Sequence, residues 1–244
     1  MQQFLVLSGK TEGKGQGDTG AQIGKDKNFL KTFVLCASVP LWLICFAGPA
    51  AAQTPPSSSP QAGIGAATGA SPGRKGSTEW GGTSGGGARI AGGAREGNFW
   101  AAQLRWGRVL TAPHGPGVLR GTLEYAFEVV PAFVMVQSET VFSRTIFGGG
   151  VNPLLLQYNF TRGRRFVPFL QAGGGMLFTT QDIPAGTAQF NFTPQGGMGV
   201  YWLRREHSSV ALGVRYHHIS NAGRIRPNPG HNALYFYTGI SWWR

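Results

Sequence analysis

From about residue 76 to the C-terminus, apolar and polar side chains alternate with a period of two, and no stretch there carries a helical period. Successive residues of a strand point to opposite faces, so this alternation commits the region to β-structure. Eight strands are expected, at roughly 76–84, 98–110, 118–136, 142–160, 165–180, 188–204, 208–220 and 232–243. In the third, Leu119, Leu123, Tyr125, Phe127 and Val129 share one face, and Arg120, Thr122, Glu124 and Glu128 share the other. In the second, Trp100, Leu104 and Trp106 oppose Gln103 and Arg105. Charges on one wall against aromatic and aliphatic residues on the other suit a membrane barrel, polar inside and apolar outside. A soluble sandwich shows the same period with its polar face outward. Aromatic residues near the strand ends, an even strand count and an export signal decide for the membrane. The expected fold is all-β, an eight-stranded antiparallel transmembrane β-barrel over residues 76–244. Eight strands leave an interior that side chains fill, which argues against a solute pore.

The export signal precedes the barrel. Lys25, Lys27 and Lys31 lead into an apolar run from Thr32 to Gly48, followed by Ala50-Ala51-Ala52-Gln53. A basic segment, an apolar segment and a small-residue site describe a signal peptide over residues 1–52, cut after Ala52. Its first 25 or so residues are long for a basic leader and read as an N-terminal extension. The alternative, a permanent membrane helix, has a run at the short end for spanning. Residues 53–75 are rich in Pro, Ser, Gly and Ala and read as a disordered linker. The two cysteines, Cys36 and Cys45, both fall in the leader, so the mature chain has no disulfide or thiol chemistry.

Only 13% of residues are charged, against about a quarter in ordinary soluble domains. The net charge of +12 is carried after Lys75 by arginine alone. A nucleic-acid partner would need a folded basic face, whereas these arginines stand mostly at strand ends and turns. Arginine binds phosphate bidentately, which fits an outer leaflet rich in phosphorylated lipid. Solvated rim charges are the other reading.

The segment with chemical content is Arg215-Tyr216-His217-His218-Ile219-Ser220-Asn221-Ala222-Gly223. Val210, Leu212, Val214 and Tyr216 lie on the same wall as His218 and Ser220, with Ser209, Ala211, Gly213, Arg215 and His217 opposite. The first set is the apolar one, so His218 and Ser220 face the lipid. Two polar groups there are costly unless they have a task. A hydroxyl beside an imidazole is the minimum for nucleophilic acyl transfer. An interfacial His and Ser at headgroup level is the plainer alternative. With both termini periplasmic, the seventh strand rises and the pair lies near the outer leaflet.

These residues resemble the outer-membrane lipid A 3-O-deacylases (PagL), an acyloxyacyl-hydrolase-like family with a His-x-Ser-Asn motif near the C-terminus. The match is His218-Ile219-Ser220-Asn221-Ala222-Gly223, with Asn228 in the following loop, and the resemblance covers about residues 76–244. It implies Ser220 as nucleophile and His218 as general base, acting on lipid A or lipopolysaccharide in the outer membrane. It also implies that Asn221, the backbone amides of Ala222 and Gly223, and Asn228 help hold the oxyanion. Where the family carries a Glu, fourteen residues after the His, this chain has Asn232. Glu124 and Glu128 point inward, and Asp182 and Glu206 stand in turns, so no carboxylate substitutes. An Asn carbonyl can orient an imidazole but cannot stabilise its cation. In serine proteases the acid-to-amide change costs about four orders of magnitude in rate.

The other histidines carry less. His217 and His218 point to opposite walls, and His114, His207 and His231 are expected in turns, solvated; neither a metal nor a cofactor is expected. Two further readings stay open: a non-catalytic barrel serving as structural element or adhesin, and a phospholipase on the same scaffold.

Overall fold

The computed structural model describes residues 71–94, 97–138, 143–163, 165–205 and 207–244; the expected signal peptide and most of the linker lie outside these. Among the described residues nine strands run β1 (Thr78–Arg89), β2 (Asn98–Val109), β3 (Gly121–Ser138), β4 (Ser143–Phe160), β5 (Phe166–Thr179), β6 (Phe190–Phe192), β7 (Gln195–Arg205), β8 (Ser208–Ile219) and β9 (His231–Trp243). All pairings are antiparallel, and β1 pairs with β9 to close the sheet on itself. β6 and β7 both pair with β5 and occupy one position in the barrel, so the wall has eight staves. The break falls at Thr193-Pro194, because proline has no N–H for the ladder. Its carbonyl still accepts the His218 N–H at 3.1 Å. Among the described residues no helix is long and apolar enough to cross a membrane.

β1 runs five residues beyond its expected end. The extension, Gly85-Gly86-Gly87-Ala88-Arg89, has almost no side chains to alternate, so periodicity cannot see it. Packing explains the glycines: a Cβ on Gly85 would lie 2.0 Å from the Phe236 carbonyl, and one on Gly87 would lie 2.2 Å from the Phe99 ring. At the other boundary, Leu119 and Arg120 precede β3 and are exposed in a turn rather than sharing its walls.

Within the strands the wall assignment agrees with the alternation. Leu104, Leu212 and Val129 are exposed on the outside, while Thr122, Glu124, Glu128, Gln103 and Arg105 are buried in the lumen. The lumen is filled by a charge network. Arg105 donates to Glu79 at 2.6 Å and to Glu124 and Glu128 at 3.1 Å each. Arg215 holds Glu128 bidentately, with both N–H···O distances 2.8 Å. Buried ions persist only when paired and hydrogen-bonded, and Gln157, Asn159, Asn152 and Tyr201 supply further bonds to the three carboxylates. Toward the end that carries residue 218 the lumen becomes aromatic, with Phe99, Phe133, His217 and Tyr235 in ring contact. On the outer wall, an apolar trough of about 1020 Å³ runs over Gly82 and Ser84, between Trp100, Leu104 and Trp106 on one side and Ile240 and Trp242 on the other.

The surface cations are unevenly placed. Among the described residues, the segments at the rim away from residue 218 hold nine arginines and lysines and no surface acid; those at the near rim hold four and one. The arginine excess is therefore mostly at the far end from the His–Ser segment, against the expectation that it serves the same leaflet.

Candidate active site

β8 carries Tyr216 and His218 on its outer face, and Ser220 continues that face beyond the strand through a bridge to Phe192. The Ser220 N–H donates to the Phe192 carbonyl at 3.1 Å, and the Phe192 N–H returns a bond at 2.8 Å. The hydroxyl-bearing residue is thus fixed by backbone on both sides. Residues two apart on a strand stand about 7 Å apart at Cα, so the Ser220 and His218 side chains are neighbours. Among the described residues no hydrogen bond joins Ser220 Oγ to the imidazole, a looseness common in sites without substrate.

β9 supplies the partner. Asn232 lies directly opposite His218 in the ladder, and its Oδ1 is 2.6 Å from His218 Nδ1. With Nδ1 protonated and donating, Nε2 is left as the basic nitrogen, the tautomer a general base needs. The same Oδ1 accepts from Tyr216 Oη at 2.7 Å. Asn232 Nδ2 donates to the Gly92 carbonyl at 2.6 Å, in the connection after β1. The amide is held at both ends, so the imidazole faces a fixed acceptor. Sequence reasoning missed both Tyr216, which reads as one more apolar-wall residue, and Gly92, which has no side chain to notice.

The site is recessed. Asn232 is only 7% exposed and Ser220 9%, so they share the outer wall's parity without lying open on it. Part of the cover is backbone. Gly230, at φ +67°, packs against the ring so closely that a Cβ there would sit 2.6 Å from His218 Cε1. Gly93 leaves no more room: its Cβ would fall 2.8 Å from the Gly230 carbonyl.

The support residues divide. Asn221 is occupied by its own loop: its N–H donates to Asn228 Oδ1 at 3.3 Å, and its Nδ2 donates to the Ile225 carbonyl at 3.1 Å. Asn228 therefore braces the turn through that bond. Ala222 and Gly223 follow at φ 56° and 77°, and among the described residues no group accepts from either backbone amide. A left-handed Ala costs about 1–2 kcal/mol, so the turn is held against a local penalty. His217 points into the lumen as expected. His231 does not stand in a solvated turn: it begins β9 and is fully buried, its ring edge-on to Phe99 at 6.4 Å. His114 and His207 are exposed.

A closed barrel with a charged lumen, an apolar outer wall and a His–Asn–Tyr cluster beside a serine at one rim is a membrane β-barrel with the elements of a hydrolase. The model of the lipid A 3-O-deacylase (PagL) family matches residues 84–241, and the chain belongs to that family. It is an outer-membrane protein. The crystal structure of the outer membrane enzyme PagL is similar at TM-score 0.48, with 19% identity over 66% of this chain and 97% of that one. The outer membrane protein OprG from Pseudomonas aeruginosa gives 0.47, with 13% identity over 70% and 96%. Neisserial surface protein A gives 0.41, with 13% identity over 68% and 96%. No curated protein sequence matches the chain.

Proposed function

We propose that the protein removes the 3-O-linked acyl chain of lipid A by Ser220–His218 nucleophilic catalysis. The observation that carries this reading is the 2.6 Å contact of His218 Nδ1 with Asn232 Oδ1, on an amide itself fixed by Tyr216 and Gly92. The chemistry follows from the positions. Ser220 Oγ attacks the ester carbonyl while His218 Nε2 takes its proton. The oxyanion is met by the uncommitted Ala222 and Gly223 amides, rather than by the Asn221 side chain. Collapse expels the sugar hydroxyl, which receives the proton from His218, and leaves Ser220 acylated. Water, deprotonated by His218, then releases the fatty acid and restores the serine. No cofactor enters any step.

Mass spectrometry of lipid A from cells expressing the protein tests the proposal. Expected is a species lacking one 3-linked acyl chain, abolished by Ser220→Ala and by His218→Ala while both variants keep the heat-dependent gel mobility of a folded barrel. Full activity in Ser220→Ala removes the assigned nucleophile. No acyl release from lipid A or phospholipid by the parent makes the non-catalytic barrel the better reading.

A further inference from the structure

Among the described residues, four of the five outer-wall tryptophans gather at the rim away from the site, Trp100 being the exception. Trp80 is paired with Trp106 on one side and with Trp242 on the other, and Trp202 is paired with Phe166, whose ring stacks on it at 6.4 Å. Amphipathic rings of this kind sit at headgroup level in membrane proteins. Four strands then repeat one pattern. Trp106 is followed two residues on by Arg108, Phe160 by Arg162, Trp202 by Arg204, and Trp242 by Arg244. Arg108 and Arg204 lie on β2 and β7, where two residues preserve the face and advance about 7 Å, so each projects just beyond an aromatic ring on the lipid side; Arg162 and Arg244 follow the last residues of β4 and β9 at the same rim. All four arginines are exposed. The Arg204 guanidinium lies over the Trp202 ring, 5.5 Å from its centroid.

We propose that this rim is a binding belt for anionic, phosphate-bearing phospholipid headgroups of the leaflet opposite the one the site faces. The planar guanidinium pairs with phosphate oxygens bidentately, and nine cations with no surface acid among the described rim residues attract anionic over zwitterionic lipid. The proposal needs the membrane barrel but not the catalytic assignment, and its test does not measure deacylation.

Tryptophan fluorescence reports on this rim, because Trp80, Trp106, Trp202 and Trp242 are four of the six tryptophans after residue 71. The full chain is reconstituted in mixed vesicles of phosphatidylglycerol and phosphatidylcholine, with one lipid brominated on its acyl chains, and then the other. Expected is a relative association constant about threefold in favour of phosphatidylglycerol, approaching one in about 0.5 M NaCl. R108Q/R162Q/R204Q/R244Q abolishes the preference, and R108Q/R204Q lowers it should the fourfold variant not fold. R224Q/R226Q, at the site rim, keeps it. A ratio of one in the parent overturns the proposal, as does a preference that survives the belt substitutions or is lost with R224Q/R226Q.

Discussion

Replacing Asn232 by Asp changes one NH₂ to oxygen and tests what the third member of the site contributes. The carboxylate keeps the acceptor that His218 Nδ1 and Tyr216 Oη use at 2.6 and 2.7 Å. It loses the donor to the Gly92 carbonyl, now 2.6 Å from an oxygen. That loss costs about 1 kcal/mol, toward the low end of the range for an unpaired acceptor because Gly92 is exposed to water. The gain is a charge facing the imidazolium formed during attack. The same amide-to-acid difference is worth about four orders of magnitude in serine proteases, and a tenth of that effect on a logarithmic scale is still a measurable change of about 2.5-fold. Asn232→Asp is therefore expected to unfold at slightly lower denaturant yet release fatty acid faster per folded molecule. Asn232→Ala loses all three bonds and is expected to be slower by about 10–100-fold. Asn232→Glu carries an extra methylene into space bounded by Gly92 and Gly93, so it trails Asp. Fatty-acid release in micelles, normalised to the folded band on an unheated gel, checks the series. If Asp is as slow as Ala, residue 232 acts through its tie to Gly92 and not on the charge of His218.

Tyr216→Phe removes one of two donors to Asn232 Oδ1; kcat should fall about three- to tenfold with KM little changed, while Tyr216→Trp, which has no hydroxyl at that position, gives no rescue. Gly230→Ala places a methyl 2.6 Å from the His218 ring and strains a left-handed residue, so activity should drop at least as far as in Asn232→Ala while the barrel still folds, by the same gel assay. Arg215→Met leaves Glu128 with Arg105 alone and should lower barrel stability by about 3–5 kcal/mol in urea titration; an unchanged midpoint would contradict the network. Cysteine at 216 should react with a bilayer-partitioned maleimide, and cysteine at 215 should not.

The barrel was legible because an inverted interior forces alternation wherever both walls carry side chains. β3 and β8 show it residue by residue, down to Glu124 and Glu128 inward and Tyr216 and His218 outward. The signal fails where the backbone itself packs. Gly85 and Gly87 sit against Phe236 and Phe99 and show no period, so the far half of β1 was invisible. Likewise the break at Pro194 leaves the ladder partly satisfied through its carbonyl, and only the missing N–H marks it. At the site, His218 and Ser220 were readable as one face of a strand, and Asn232 as the residue fourteen positions after the His. The fixing of Asn232 by the Gly92 carbonyl was not, because a main-chain oxygen 140 positions away has no signature in sequence. His231 was misplaced since its polarity suggested a turn, whereas the lumen at that level takes aromatic rings of any kind.

The pairing of β1 with β9 has a consequence for the order of assembly. Asn232 belongs to the last strand and its anchor follows the first, so their hydrogen bond spans the seam of the barrel. Contacts this distant in sequence form late, after the intervening hairpins have brought the chain ends together. A nascent chain crossing the periplasm, or one threaded partway into the bilayer, can hold His218 and Ser220 on β8 but has no fixed amide beside them. On the proposed mechanism, competence would then arrive with closure itself, and Ser220 would stay idle until the barrel stands in the membrane.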